Sequence, residues 1–271
     1  MKIIAIIAID LIKDFLLETG EDVTSMGNKV ERFPRPAGPN IDEALDSFLK
    51  DQGKGLASST LNQYTVITGF LRECLNSCGY QFLEEEEYKL WKKLSGKKKR
   101  GREFCQLFGP DKIPEIIDDF LSYFMLKLFC GKSMIKASGK VTKKLGLWLK
   151  DKRYISYEES SMMVEMGEIA VKELPLAKEF EEKLFRLVEK ITLPQGEEKI
   201  EDVFLIKEIQ GNRIYLSATE VNRGTIPVDL SADLARLCKP GWLVYLHLLH
   251  TPQGWRISMT GGVDPCLGGR T

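Results

Sequence analysis

Near residue 200 the spacing of apolar residues changes, and that change limits the possible folds more than any other feature of the chain. From Ile41 to Ile191 they recur three and four apart; from Ile200, in V-F-L-I-K-E-I and R-I-Y-L-S-A, they alternate. The chain is therefore α+β and multidomain, with helices first and strands last. Gly211-Asn212 suits a hairpin turn, T-I-P-V-D-L reads as a third short strand, and Ser231 to Leu237 as a helical turn. K-P-G-W leads into L-V-Y-L-H-L-L-H, and T-P-Q-G turns into W-R-I-S-M-T-G-G. Five short strands in about 60 residues fit a small antiparallel barrel of the SH3 or OB kind, over residues 199–262, with 263–271 as an untied tail.

The helical part divides by its punctuation. Residues 1–40 read as a short amphipathic helix, with Ile4, Ile7, Leu11 and Phe15 on one face, and a proline-rich linker, R-F-P-R-P-A-G-P. The apolar run of Met1 to Ile9 stops at Asp10, with no cleavage-site pattern after it and too few residues to span a bilayer. Residues 41–155 read as a bundle of four or five helices. Its first helix carries Ile41, Ala44, Leu45, Phe48 and Leu49. Its second is capped by Ser58 or Ser59 and carries Leu61, Tyr64, Ile67, Leu71 and Cys74. Lys89 to Arg102 reads mostly as loop, with room for short flanking helices, and a helix opening at Pro114 runs to Gly131. Residues 156–198 read as a helical connector divided by Pro175.

Lys132 to Ile155 carries the functional signal. Wound as a helix from an N-cap at Ser133, it places Lys140, Lys143 and Lys150 within about 40° of Lys136. Met134, Val141, Leu145, Trp148 and Leu149 take the opposite side. Lys132 precedes the stripe, Lys144 flanks it, and Asp151 is the one acid in the stretch. A solvated helix face ordinarily mixes signs, because opposite charges four apart help and like charges repel. Lysines without acids among them suit an external anion, and nucleic acid is the commonest such partner. The plainer reading is that lysine is a good helix former with a soluble head.

Over the whole chain the charges sum to nothing: lysine plus arginine and aspartate plus glutamate number 39 each. Only local segregation can inform. The acids Glu84 to Glu87 are followed by a basic arm that includes Lys97, Lys98, Lys99 and Arg100. Thr60, Asn62 and Gln63, near the start of the second helix, could hydrogen-bond phosphate or base edges, although capping and solvation account for them equally well. The six cysteines form no disulfide framework, which suits a reduced, cytoplasmic protein. Cys74 and Cys78 share a helix face but lack further ligands at metal spacing, and they read as buried thiols. His247 and His250, three apart on a strand, point to opposite faces. With no nucleophile, phosphate-loop or dinucleotide motif, the sequence offers no catalytic constellation, metal site or cofactor.

Three segments carry a family resemblance: G-L-A-S-S-T-L-N-Q-Y-T-V-I-T-G-F-L, I-I-D-D-F-L-S-Y-F-M-L-K and K-S-M-I-K-A-S-G-K-V-T-K-K-L-G-L-W-L-K-D-K-R-Y-I. Together they resemble the SAM-like, core-binding N-terminal domain of the tyrosine recombinase (phage integrase) family. Ser59-Thr60, Tyr64, Ile67 and Phe70 match its opening helix, and Leu145, Trp148, Leu149, Tyr154 and Ile155 its later one. The resemblance covers residues 41–155 and implies a bundle that clamps one side of DNA. The family's catalytic domain has no counterpart after Ile155, since His247-Leu-Leu-His250 is not its H-x-x-R. The expectation is a non-enzymatic accessory protein binding duplex DNA, with no membrane association and a β-module free to recruit a protein. The alternative is an interaction scaffold whose basic helix meets an acidic protein; a third reading assembles an enzyme site across domains.

Overall fold

The computed structural model describes residues 38–95, 102–128, 130–190, 198–221 and 223–267. The N-terminal helix, most of the linker, the basic arm Lys97–Arg100 and the last four residues of the tail lie outside them. From Gly38 onward the chain is one compact unit.

Helix α1 (Ile41–Gln52) opens on a reciprocal cap, with Asn40 accepting from the Glu43 N–H and Glu43 accepting from the Asn40 N–H. Helix α2 (Ser58–Cys78) begins after Ala57, whose methyl cannot cap; neither Ser58 nor Ser59 takes that role. A 3₁₀ turn (Gly79–Phe82) leads to α3 (Glu85–Ser95). Half of the stretch expected to be loop is thus helical, with Glu85, Glu86 and Glu87 at the positive N-terminal end and Lys92 and Lys93 at the other. After a short α4 (Phe104–Leu107), α5 (Ile113–Asp118) carries Pro114 in its first turn and continues as a π-helical segment (Asp119–Phe124) and a last α-turn (Met125–Lys127).

Two long helices follow, α6 (Lys132–Asp151) and α7 (Tyr157–Lys190). Helix α6 starts before Ser133, with Gly131 at its N-cap. Helix α7 passes through Pro175 without dividing. An interior proline costs about 3 kcal/mol. Burial of Ala170, Leu174, Ala177, Phe180 and Leu184 on either side of it opposes that cost. The segment packs along α6 and onto the sheet, and its buried side chains belong to the common core.

The sheet comprises β1 (Glu198–Gln210), β2 (Arg213–Ala218), β3 (Thr225–Asp229), β4 (Leu243–Thr251) and β5 (Gly254–Asp264). Its order is β1-β2-β3-β5-β4, and β1 also pairs with β4, so it closes on itself as a barrel. One pairing corrects the all-antiparallel expectation: β3 runs parallel to β5, meeting it at Val228 and Trp255. Strand alternation cannot reveal the direction in which two distant strands meet. The hairpin turn falls at Gly211-Asn212, with Gly211 at φ +60°. A short helix α8 (Ala232–Ala235), capped by the Ser231 hydroxyl, links β3 to β4. The C-terminal end is not untied as far as it is described, because Val263 and Leu267 are buried in the core.

The sheet is fastened to the helices by polar ties as well as apolar ones. Glu173 of α7 accepts from the buried Trp242 indole N–H at 3.0 Å and from Lys239 at 2.8 Å. Lys127 donates to the Gly261 carbonyl at 2.6 Å, and the Phe180 ring packs edge-on against Trp242.

Candidate nucleic-acid interface

Helix α6 is embedded on nearly every side. Ile135, Val141, Leu145, Trp148 and Leu149 enter the core, while Met134 is half-buried. Gly139 and Gly146 face α7 at a distance no side chain would allow. A Cβ on Gly139 would lie 2.6 Å from the Gly167 carbonyl oxygen, and one on Gly146 would lie 2.8 Å from the Met163 Cβ. The Ser160 hydroxyl, also buried, donates to the Gly146 carbonyl at 3.0 Å. With these faces committed, the outward strip is what remains, and lysine dominates it.

That strip is not uniformly free, which corrects the expectation that its lysines stand unpaired. Apart from Asp151, the acids that pair them come from other helices and were invisible within the stretch itself. Lys132 pairs with Glu179 at 2.6 Å, and Lys143 pairs with Glu168, both on α7. Lys150 lies 3.5 Å from Asp151, and Lys152 pairs with Asp51 of α1 at 3.1 Å. The carboxylates register the pairing. Lys143 holds Glu168 below its ordinary pKa, and Lys132 with Lys183 does the same for Glu179. Hydrogen bonds from Lys54, Trp148 and Lys152 hold Asp51 far below the carboxylate range.

Three lysines keep an uncompensated charge. Lys136, Lys140 and Lys144 are exposed, and none pairs with a carboxylate among the described residues. Four residues apart, they climb the helix by about 6 Å per step and drift about 40° around it. A row of point charges on a backbone fixed on its other sides can meet successive phosphates without ordering its scaffold first.

The remaining expected residues are less tightly gathered. Asn62 is exposed, Thr60 and Gln63 are half-buried, and their side chains make no hydrogen bond among the described residues, so the capping role is not taken. They lie near the start of α2, whose neighbour Asp51 binds the far end of α6 through Trp148 Nε1 at 3.2 Å and Lys152. Lys97, Lys98, Lys99 and Arg100 fall outside the described residues. The helix leading into that arm, however, has an aromatic cluster. Tyr80 stacks on Trp91 at 4.5 Å, and Tyr88 packs against Trp91 at 5.7 Å, with Lys92 and Lys93 exposed beside them. The three-residue step from Tyr88 to Trp91 was the available sequence signal.

One polar cluster escaped sequence reasoning because strand pairing assembles it. Glu201 lies opposite His247 across β1 and β4. The Tyr245 hydroxyl donates to Glu201, which raises the tyrosine pKa, and lies 3.2 Å from His247 Nε2. His250 instead packs its ring on Trp255 at 4.8 Å. Among the described residues no group of three or more His, Cys, Asp or Glu side chains could hold a metal ion. Nor is any helix among them long and apolar enough to cross a membrane. Comparison of the chain with protein-family models, curated proteins and solved structures finds no match.

Proposed function

We propose that this chain is a non-enzymatic nucleic-acid-binding protein that grips duplex DNA by its phosphates along α6. The observation that carries the reading is the row Lys136, Lys140 and Lys144, exposed and unpaired on a helix whose other sides are buried. Lysine contacts of this type give affinity and salt dependence but little sequence selection, which suits an accessory factor. Thr60, Asn62 and Gln63 supply free hydrogen-bonding groups on α2, and the basic arm after α3 would extend the positive surface. The resemblance of residues 41–155 to the integrase core-binding domain supports the same reading, as a clamp without strand-cutting chemistry. For the sheet, the parallel β3–β5 pair and the helix between β3 and β4 favour an OB-like over an SH3-like description.

The test is a salt series with labelled duplex DNA, comparing the full chain with Lys136→Ala/Lys140→Ala/Lys144→Ala. Each lost phosphate contact removes about 0.9 from the slope of log affinity against log salt, so the variant should bind more weakly with a slope shallower by up to ~2.7. Equal slopes would mean that the row touches no phosphate, and the proposal would fail.

A further inference from the structure

The last turn of α2 holds a pair of thiols placed to react with each other. Cys74 and Cys78 lie four residues apart on one helix face, with their sulfurs 3.8 Å from each other. The two differ in surroundings. Cys74 is fully buried, while Cys78 is half-buried and occupies the final position of the helix. The contact between the sulfurs holds the Cys78 thiol below its ordinary pKa and pushes that of Cys74 up, burial adding to the latter, and the Cys78 S–H also donates to the Cys74 carbonyl at 3.0 Å. Cys78, the more exposed of the two, is the thiol that a peroxide arriving from solvent meets first.

Backbone geometry adds an independent observation. Two side chains four apart on a regular helix keep their Cβ atoms about 5–6 Å apart, whereas a disulfide needs about 3.5–4.5 Å. A rigid helix would forbid the bond. Cys78, however, has already left helical geometry, at φ −134° and ψ −3°, and a 3₁₀ turn follows at once. That turn carries Tyr80, whose ring stacks on Trp91 of α3. Closing the sulfurs together must draw in the helix end and disturb this stack, which helps seat α3, a helix with no fully buried residue of its own.

We infer that Cys74 and Cys78 form a reversible disulfide under attack by a hydroperoxide, and that the bond loosens α3 and its lysines. In the first step the Cys78 thiolate attacks one oxygen of the peroxide. A sulfur–oxygen bond forms, the oxygen–oxygen bond breaks, and the leaving hydroxide or alkoxide takes a proton from solvent. In the second, Cys74 gives up its proton and its sulfur displaces the oxygen on Cys78, which departs as water. Two thiols are oxidised by two electrons while the peroxide is reduced to water and a second water or an alcohol. Cys105 is the competing partner, a buried thiol whose S–H donates to the Arg72 carbonyl at 3.8 Å.

The full chain, reduced and then given stoichiometric hydrogen peroxide, should fall from six free thiols to four. Trypsin should then release a Glu73–Lys89 peptide two hydrogens lighter, and dithiothreitol should restore it. Trp91 emission should change with oxidation and revert with reduction, in a manner lost in Trp91→Phe. Cys105→Ser should behave as wild type. Cys78→Ser, at a half-buried position, should form no such peptide. Survival of all six thiols, or a link to Cys105, would overturn the inference. So would a Cys74–Cys78 disulfide that leaves Trp91 emission unchanged.

Discussion

The α6–α7 pair and the closed sheet both bring backbones into close approach, but by opposite means. In the sheet, hydrogen-bonded ladders set the spacing, and side chains alternate between the interior and the outside; β3 shows this plainly, with Ile226 and Val228 buried between exposed neighbours. Between the helices no such ladder exists. Spacing is set by what is missing, since Gly139 and Gly167 each occupy the place where the other's side chain would be. The sheet thus tolerates change on its outward positions, whereas the helix pair fails at single atoms.

The most damaging substitution should fall on that helix contact. A Cβ on Gly167 would sit 2.5 Å from the Gly139 carbonyl oxygen, a backbone atom that cannot turn aside. Gly167→Leu is expected to cost on the order of 3 kcal/mol in urea unfolding, and Gly167→Ala less. A Leu variant as stable as wild type would mean that α6 and α7 part easily. The lysine row would then lack the rigid backing assumed for it.

The sheet's weak point is polar. Asp202 is buried on β1, where it accepts from the Thr219 hydroxyl at 2.9 Å and the Val221 and Glu220 N–H groups at 3.1 and 3.2 Å. Burial pushes its carboxyl up, but these hydrogen bonds more than reverse that, and its pKa ends below the ordinary value. A depressed folded-state value means stability that is complete above the unfolded aspartate pKa of about 3.9 and lost as pH falls through the lower folded value. Asp202→Asn should therefore cost about 1–3 kcal/mol at pH 7. It should also lose less stability than wild type between about pH 4 and pH 2. Denaturant unfolding at both ends of that range checks the pair of effects, and an unchanged acid slope would show that Asp202 does not anchor the loop after β2.

This contrast also explains what could be read from the sequence. Alternation located the strands and the Gly211-Asn212 turn, because a strand's pattern is local. The parallel β3–β5 pairing was hidden, being a relation between distant segments. Helical spacing identified the buried face of α6, yet A-S-G-K-V-T-K-K-L-G gave no sign that Gly139 and Gly146 were contact positions, since a glycine acquires that meaning from its partner. Pro175 misled for the same reason: local chemistry argued for a break, and packing along α7 overrode it. The lysine stripe was visible, but Glu168 and Glu179, which neutralise two of its members, lie on another helix.

Those two acids offer the mildest change to the fold and the sharpest test of the helix surface. Both are on the flank of α7 that close packing brings beside α6, so the glycine contact that stiffens the row also supplies its counter-charges. Glu168→Gln/Glu179→Gln removes three surface ion pairs, to Lys143 and Lys132 of α6 and to Lys183 of α7, which contribute little to folding in water, and should leave the unfolding midpoint nearly unchanged. It also releases Lys143 and Lys132 and removes two negative charges that would repel a phosphate backbone. If DNA lies along α6, the variant should bind more tightly than wild type, with a salt slope steeper by up to ~1.8. If the row serves an intramolecular purpose instead, freeing two lysines should alter neither affinity nor slope. The acids of α7 would then be structural partners of α6, and the three exposed lysines a solvated face.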